Sequence, residues 1–277
     1  MLYLLSPAKT LDYESRLAPA LLKKATTPLF VEQASELIEQ LSTLAPEQVS
    51  ALMDLSPALA ELNVARYQAW VPTATRSNSR PAVLAFDGDV YGGLQARSLS
   101  ATDLNWAQKH VAILSGLYGV LRPLDSLQPY RLEMGTRLAN AQGADLYAFW
   151  ADTVTEHLNQ RQADEARPVI VNLASQEYFR AVRRAGLRAR VIDCVFEDWK
   201  DDRYKLISFF AKRARGLMAR WAVDQRVTAV KRLRDFNAEG YAFEATASGA
   251  DRLVFRRRLA DAGASTAAAA ALEKMTP

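Results

Sequence analysis

The feature that most constrains the fold is a short apolar run, residues 111–114, followed by a segment too interrupted for any regular element. The run breaks at Ser115-Gly116, and the glycines and prolines in this region fix bends in the backbone. Polar and aromatic side chains stand between those bends: Tyr118, Arg122, Asp125, Tyr130, Arg131 and Glu133. Such side chains on a rigid loop after a strand favour a binding site. The alternative is that both arginines pair locally with the nearby carboxylates.

Two other apolar runs, residues 2–5 and 169–173, predict buried strands that also end among polar residues. Lys9 follows the first run, and Ser175, which could also cap a helix, follows the second. Because open α/β sheets bind ligands at the carboxyl ends of their strands, a site is expected there. Ser6 and Lys9 match the Ser-x-x-Lys pattern of acyl-transferring enzymes, but its companion motifs are absent and the match carries little weight.

The rest of the chain alternates predicted helices and strands. Helices are predicted within residues 26–70, at 145–158 and at 211–225, and strands at 82–86, 190–196, 204–210, 241–243 and 252–257. The strands at 190–196 and 204–210 are expected to form a hairpin. Asp87 and Asp89 could accept hydrogen bonds from a ligand, coordinate a cation or cap the next turn, and the capping role is favoured. This pattern predicts a mixed α/β fold with a mostly buried sheet flanked by helices, in one domain over residues 1–258. An Ala-rich, low-complexity tail follows at 259–277.

Two short helices are predicted on either side of a tight turn near Ser56-Pro57. The second carries Leu59, Leu62 and Tyr67 at helical spacing. A helix-hairpin-helix element of this size grips a DNA backbone through its amides. The glycine pair usual in such hairpins is missing, so these residues alone favour a purely structural helical pair.

Composition excludes several classes of protein. The chain has 277 residues, of which 49% are hydrophobic, enough for a large core. The single cysteine, Cys194, excludes an internal disulfide framework. No signal peptide and no apolar run of about 20 residues is present, so a cytoplasmic protein without membrane contact is expected.

Charge is unevenly distributed, although the net charge is only +4. Residues 176–258 contain 20 Lys and Arg against 11 Asp and Glu, and within residues 212–234 eight basic residues accompany one acidic residue. Four of these basic residues, Lys212, Arg213, Arg215 and Arg220, lie on the helix at 211–225, away from its apolar face. Such asymmetry favours a polyanionic partner such as nucleic acid, although a solvated basic helix face is the alternative.

The inventory of reactive residues limits the chemistry. The only histidines, His110 and His157, lack metal-ligand spacing, and Cys194 lies in a predicted strand as a buried hydrophobe. No nucleotide-binding glycine motif is present, so neither a cofactor nor a metal is expected. The remaining cations and tyrosines at strand ends suit phosphate and nucleobase recognition. Lys9 could also act as a base or an imine-forming nucleophile, although an ion-pairing role is favoured.

Six blocks of sequence, in order, resemble the YaaA family of bacterial peroxide-stress proteins. The blocks cover residues 4–12, 86–94, 114–125, 129–135, 172–179 and 210–218, and the resemblance extends to about residue 258. It implies a cytoplasmic protein that limits oxidative damage by keeping intracellular iron low. It also implies an α/β fold of unusual topology with a positively charged cleft, a helix-hairpin-helix element at residues 46–70 and binding to double-stranded DNA. No enzymatic activity follows from it, and Asp87 departs from relatives that carry lysine there.

Carried over block by block, the resemblance implies a set of cleft residues. These are Ser6, Lys9, Asp89, Tyr91, Ser115, Tyr118, Arg122, Tyr130, Arg131, Asn172, Ser175, Lys212 and Arg215. Arg213 and Arg220, on the same basic helix, are added as DNA contacts, and Ser6 and Lys9 are the candidate catalytic residues.

Three functions are therefore considered. The first is a DNA-binding stress protein, and the second is an enzyme acting on a nucleobase, nucleotide or small anion with Lys9 in the active site. The third, direct iron sequestration by carboxylates such as Asp87, Asp89 and Glu133, ranks last because soft and imidazole ligands are too few.

Overall fold

The computed structural model describes residues 1–17 and 19–258, so the predicted tail at 259–277 lies outside the described residues. Within them the chain forms twelve strands and ten α-helices. The strands are β1 (Leu2–Leu5), β2 (Thr10–Leu11), β3 (Arg80–Pro81), β4 (Phe86–Asp87), β5 (Val111–Ser115), β6 (Gly119–Leu121), β7 (Ser126–Leu127), β8 (Val169–Asn172), β9 (Arg190–Lys200), β10 (Arg203–Lys205), β11 (Ala242–Phe243) and β12 (Arg252–Arg257). The α-helices are α1 (Pro19–Leu22), α2 (Val31–Ser42), α3 (Pro46–Met53), α4 (Pro57–Ala69), α5 (Ala82–Ala85), α6 (Asp89–Leu94), α7 (Ala101–His110), α8 (Leu146–Gln160), α9 (Gln176–Phe179) and α10 (Ser208–Asp224).

The centre of the fold is a sheet in the order β11-β12-β9-β8-β1-β5-β6, with β10 paired to the end of β9. The five inner strands, β12 to β5 in that order, run parallel, whereas β11, β10 and β6 pair antiparallel. Strand β1 is central: Tyr3 lies between Val111 of β5 and Val171 of β8. The predicted α/β class is confirmed. The carboxyl ends of β1, β5 and β8 therefore meet at one edge of the sheet.

Apolar sequence explains which strands lie inside. All residues of β1 and β5 are buried. Strands that are covered on both faces are expected to have mostly apolar sequences, and these two strands do. Helices α7, α8 and α10 contact strands of the sheet, and Trp150 of α8 is among the largest fully buried side chains. None of the helices described is long and apolar enough to cross a membrane.

Two predicted strands are wrong. Residues 82–85 form a helical turn, α5, whose residues are all buried; a short apolar run suits either conformation, and periodicity cannot separate them. The hairpin at 190–210 is confirmed, but its second strand ends at Lys205 and α10 begins at Ser208. The turn contains only Asp201 and Asp202, which both adopt positive φ, because β9 continues to Lys200 and pairs there with Arg203.

The predicted pair of short helices is confirmed as α3 and α4, which contact each other. Helix α3 ends at Asp54, whose left-handed backbone (φ 51°) turns the chain toward Pro57 at the start of α4. The expected apolar face is wrong in part, because Leu59 and Leu62 are 40% and 45% exposed.

Helices α6 and α10 touch backbone to backbone. A Cβ atom at Gly216 would lie 1.8 Å from the carbonyl oxygen of Val90, and one at Gly93 would lie 2.3 Å from that of Arg213. Only glycine permits this approach. The glycine inside the predicted basic helix therefore serves close helix packing.

Candidate functional site

A cavity of about 400 Å³ lies where β1 and β8 end. Its walls come from the loop after β1, the start of α6, the loop after β7, the start of α9 and one side of α10. The residues that line it are Ser6, Pro7, Ala8, Lys9, Thr10, Asp87, Gly88, Asp89, Val90, Glu133, Ser175, Glu177, Tyr178, Lys212 and Arg215. The volume lies within the range of small-molecule sites, and the position is the one that open α/β sheets use for ligands.

Hydrogen bonds from Ser6 tie the walls together. The Ser6 hydroxyl accepts from the backbone N–H of Ser175 at 2.8 Å and donates to the Ser175 hydroxyl at 3.4 Å. The Ser6 carbonyl accepts from the hydroxyl of Tyr91 at 3.1 Å. Ser175 also caps α9 by accepting from the N–H of Tyr178. Ser6 therefore holds the loops after β1 and β8 together.

Lys9 takes part in a local charge network. Its Nζ lies 2.8 Å from Oε2 of Glu133, and Oε1 of Glu133 accepts from Arg131 at 3.0 Å. The Lys9 side chain is 63% exposed. Because Lys9 contacts Glu133 and Ser6 contacts Ser175, these two residues do not form the hydroxyl–amine pair of the Ser-x-x-Lys enzymes.

Lys212 and Arg215 differ from Lys9, because neither has a carboxylate within salt-bridge distance among residues 1–17 and 19–258. Lys212 is exposed and Arg215 is half-buried. Burial lowers the pKa of the Arg215 guanidinium, as expected for a charge moved from water without a counter-ion. These two cations therefore face the cavity without a direct carboxylate partner in the described part of the chain.

The cavity also carries carboxylates. Asp87, Asp89, Glu133 and Glu177 line it together with the three cations, so its lining has both signs of charge. Gly88, not an aspartate, occupies the N-cap position of α6, and no side chain caps that helix. The interpretation of Asp87 and Asp89 as caps is therefore wrong. Within the part of the chain that the structure describes, no group of three or more His, Cys, Asp or Glu residues is arranged to hold a metal ion.

Four predicted cleft residues lie in the core instead. Tyr91, Ser115, Tyr118 and Tyr130 are all buried. The hydroxyls of Ser115 and Tyr130 lie 2.7 Å apart, and the hydroxyl of Tyr118 accepts from Trp70 at 2.8 Å. Burial raises the pKa of Tyr91 and of Tyr130. Tyr118 and Tyr130 pack within residues 116–135, which include β6 and β7 and are called here the loop after β5, whereas Tyr91 packs in α6 against Phe86. All three rings are buried and are not available to a ligand.

Other predicted contacts are engaged inside the chain. Arg122 pairs with Asp125 at 2.8 Å, Arg213 pairs with Glu239, and Arg220 pairs with Asp224 at 2.9 Å. Asn172 donates to Asp193 at 2.8 Å and accepts from the N–H of Ala174. Arg131 pairs with Glu133, as described above. For the loop after β5, the alternative of local arginine–carboxylate pairs therefore describes the structure.

Of the residues predicted, the structure brings six together at the cavity: Ser6, Lys9, Asp89, Ser175, Lys212 and Arg215. Glu133 and Glu177 line it too but are absent from the predicted set. Their positions in the sequence could have identified them as lining residues. Glu177 lies two residues after Ser175 at the end of a strand, and Glu133 lies in the loop after β7.

Cys194 is not placed for redox chemistry. It lies in β9, is 6% exposed, and burial raises the pKa of its thiol. A thiol reacts as the thiolate, so this environment suppresses its reactivity. The prediction that Cys194 is a buried hydrophobe is confirmed.

The parallel inner strands define an open-sheet α/β protein with a cavity at the carboxyl ends of its strands, the position at which such sheets commonly bind ligands. Within this class, the chain belongs to the family described as peroxide stress protein YaaA, whose family model matches residues 1–247. It is 65% identical over 261 residues to a UPF0246 protein of Leptothrix cholodnii, covering 94% of this chain and 100% of the relative. It is 62% identical over 263 residues to one of Paracidovorax citrulli, covering 95% and 100%. A UPF0246 protein of Bordetella petrii is 61% identical over 258 residues, covering 93% and 100%. The family identifies a peroxide-stress role.

Proposed function

We propose that this peroxide-stress protein binds double-stranded DNA, with the cation-bearing wall of the cavity as the main phosphate contact. The observation that carries the proposal is that Lys212 and Arg215 line the cavity without a carboxylate partner among the described residues. Lysine and arginine side chains at such a site replace the counter-ions of a phosphate backbone. The proposal therefore assigns the phosphate contact in this chain to the side chains of Lys212 and Arg215.

Salt bridges within the chain reduce the number of basic side chains that remain available to bind DNA. Of the eight basic residues between 212 and 234, four have carboxylate partners: Arg213, Arg220, Arg226 and Arg232. The other four are Lys212, Arg215, Lys231 and Arg234, of which the last stacks on Phe243. The effective positive charge of this stretch is therefore smaller than its composition suggests, and half of what remains lies at the cavity.

The α3–α4 pair would contribute differently. Glu47, Asp54 and Glu61 are exposed on it, and these carboxylates would repel a phosphate backbone. A DNA contact at this helix-hairpin-helix-like element would therefore use backbone amides near the turn, not side-chain charge. Affinity that depends on salt should come mainly from α10.

The proposal is tested by fluorescence anisotropy of a labelled duplex across a salt series. Lys212→Ala and Arg215→Ala should each weaken binding to all sequences alike and reduce the slope of log affinity against log salt by about one. Arg232→Ala is the matched control, because Arg232 is already paired with Asp235 and should leave the slope unchanged. If both cavity variants keep the wild-type slope, the cavity does not contact DNA. If the wild type does not bind the duplex at low salt, the proposal is overturned.

The second part of the proposal is that DNA binding helps to limit intracellular iron and oxidative DNA damage. Membership of a peroxide-stress family supports it. Cells that lack the protein should accumulate iron and DNA lesions under peroxide, and the wild-type gene should reverse both. A Lys212→Ala, Arg215→Ala double variant, expressed at the same level, should restore neither. Full restoration by that variant would show that the effect on iron and DNA damage does not require Lys212 and Arg215.

A second candidate function is catalysis on a nucleobase, nucleotide or small anion with Lys9 in the active site. The observation that favours it is that Lys9 and the two unpaired cations share one partly enclosed cavity. To attack a carbonyl, the Lys9 amine would have to leave Glu133 and lose a proton. Borohydride trapping of Lys9 with a damaged-base substrate would support an imine mechanism, and unchanged turnover by Lys9→Ala would remove it.

A further inference from the structure

A second cavity, of about 320 Å³, lies beside α4 and has no lining residue in common with the first. Leu62, Ala65 and Ala69 recur at helical spacing along one side of α4 and form its apolar wall, with Trp70 and Pro129 closing it. Leu62 is the same residue that sequence periodicity placed in the core and that the structure leaves exposed.

Among residues 1–17 and 19–258, Arg66 is the only charged residue that lines this cavity. Its guanidinium is half-buried, and its hydrogen bond is to the side-chain oxygen of Asn63 at 3.3 Å. In the described part of the chain, no carboxylate lies within salt-bridge distance of it, whereas Arg131 lies near enough to repel it. Burial is the main cause that lowers the pKa of Arg66. A neutral amide oxygen does not balance the charge of a guanidinium, so this cation lacks a counter-ion.

The other polar groups of the cavity already have partners. Gln128 donates to the carbonyl of Val71 at 2.6 Å and accepts from its N–H at 3.3 Å. Asn78 accepts from the N–H of Thr75 at 2.7 Å. Arg66 is therefore the main polar anchor left for a ligand, opposite an apolar wall. This is the composition of a small-molecule site, mostly apolar with few orienting polar groups.

The charges nearby define the ligand further. An adjoining cavity shares Tyr13, Arg66 and Pro129 with this one and is also lined by Asp12, Glu14 and Asp87. A ligand with further negative charges would face Asp12 and Glu14 there, so a single carboxylate fits Arg66 best. One guanidinium suits one carboxylate, which it binds through two parallel N–H donors.

We propose that the cavity beside α4 binds a small organic monocarboxylate with an apolar or aromatic body, its carboxylate on Arg66 and its body against Leu62, Ala65 and Ala69. This site shares no lining residue with the cavity proposed to bind DNA, and its α4 residues, 62–69, follow the turn between α3 and α4 by six or more positions. Its failure and the failure of DNA binding are therefore distinguishable.

The test uses 4-phenylbutyrate as the probe and its neutral amide, 4-phenylbutanamide, as the matched ligand, with binding measured by calorimetry and saturation-transfer NMR. The acid should bind the wild type, and the amide should bind about tenfold or more weakly because it loses the charged hydrogen bonds. Arg66→Gln should lower the affinity for the acid by a similar factor and abolish the preference for acid over amide. The control Arg232→Gln should change neither.

Ala65→Leu provides a second variant that leaves the charge in place. The larger side chain should fill the cavity and exclude both ligands while DNA binding and circular dichroism remain those of the wild type. The proposal is overturned if the wild type does not bind the acid at millimolar concentration, if acid and amide bind equally, or if Arg66→Gln retains the preference. Phenyl phosphate binding more tightly than the acid would also overturn the assignment to a carboxylate.

Discussion

Two basic regions of the molecule contain similar residues but use them in opposite ways. In the loop after β5, Arg122 and Arg131 pair with carboxylates only two or three residues away, and the tyrosines between them are buried. On α10, Lys212 and Arg215 have no such partner among the described residues and face a cavity. Whether a basic side chain is available to a ligand therefore depends more on the nearest carboxylate in the fold than on the spacing of basic residues in the sequence. The first region stabilises the fold, and the second is available to a ligand.

The largest expected effect tests what holds α10 in place. Gly216→Ala would put a Cβ atom 1.8 Å from the Val90 carbonyl oxygen, so α6 and α10 would have to separate. We expect the free energy of unfolding to fall by more than about 3 kcal/mol, measured by urea denaturation. Gly249→Ala, where nothing lies within 4 Å, should change it by less than about 0.5 kcal/mol. Equal stability of both variants would contradict the close packing.

The second prediction removes the acid on which the loop after β5 depends. Asp125 is fully buried and accepts from Arg122 and from Thr26. Asp125→Ala should cost about 3 kcal/mol of unfolding free energy, because it leaves an arginine and several donors without a partner. The folded fraction should still bind DNA like the wild type. A variant of normal stability but weakened DNA binding would reverse the roles assigned to the two regions.

The third expected effect concerns pH and a histidine of α8 whose pKa is influenced by Arg122. His157 is partly buried against Phe30, and its Nε2 has no hydrogen-bond partner within the described part of the chain. Burial, followed by repulsion from Arg161 and Arg122, lowers the pKa of His157 from 6.5 to about 4. The folded state therefore resists protonation that the unfolded chain accepts, so stability falls as pH drops from about 6.5 to about 4. At pH 5 this contribution is about 2 kcal/mol relative to neutral pH.

His157→Gln should reduce the loss of stability between pH 7 and pH 5 by that amount in urea denaturation. His157 contributes nothing to this interval if the variant loses as much stability as the wild type. The measurement compares two pH values within each protein, so a constant cost of the substitution itself cancels.

The smallest effect has the opposite sign. Arg215 is half-buried without a carboxylate partner in the described residues, so its charge is a stability cost that its function would explain. Arg215→Met should raise the free energy of unfolding by about 1 kcal/mol while it weakens DNA binding. A destabilised variant would show that Arg215 has a stabilising contact, and the contrast between the two regions would then be smaller.

Sequence reasoning predicted the buried strands well and the site only in part. The runs at 2–5 and 111–114 are apolar throughout and the run at 169–173 is apolar except at Asn172, which is the pattern expected of strands buried on both faces. The run at 82–85 is equally apolar but forms a helical turn, held by hydrogen bonds from Ala82 to Asp125 and from Val83 to Pro123. Those partners are distant in the sequence, so no local pattern could reveal them.

Within the site, position relative to a strand was the reliable signal. Ser6, Lys9 and Ser175 follow β1 and β8 directly, and parallel strands bring their carboxyl ends together. The partners of the arginines could not be predicted, because Arg213 pairs with Glu239 across 26 residues. Arg66 was missed for a related reason: an arginine in an amphipathic helix is ordinary, and only the absence of a described counter-ion distinguishes it.

The central place of β1 has a consequence for the synthesis of the protein. Residues 2–5 leave the ribosome long before their neighbours in the sheet, which are residues 111–113 and 170–172. At about 5–20 residues per second, this apolar segment waits on the order of ten seconds or more for its second neighbour. During that time it is an unpaired hydrophobic strand. The nascent chain therefore depends on protection by a chaperone or on early non-native collapse, and its folding yield should respond to translation speed more than that of a protein whose first strand lies at an edge.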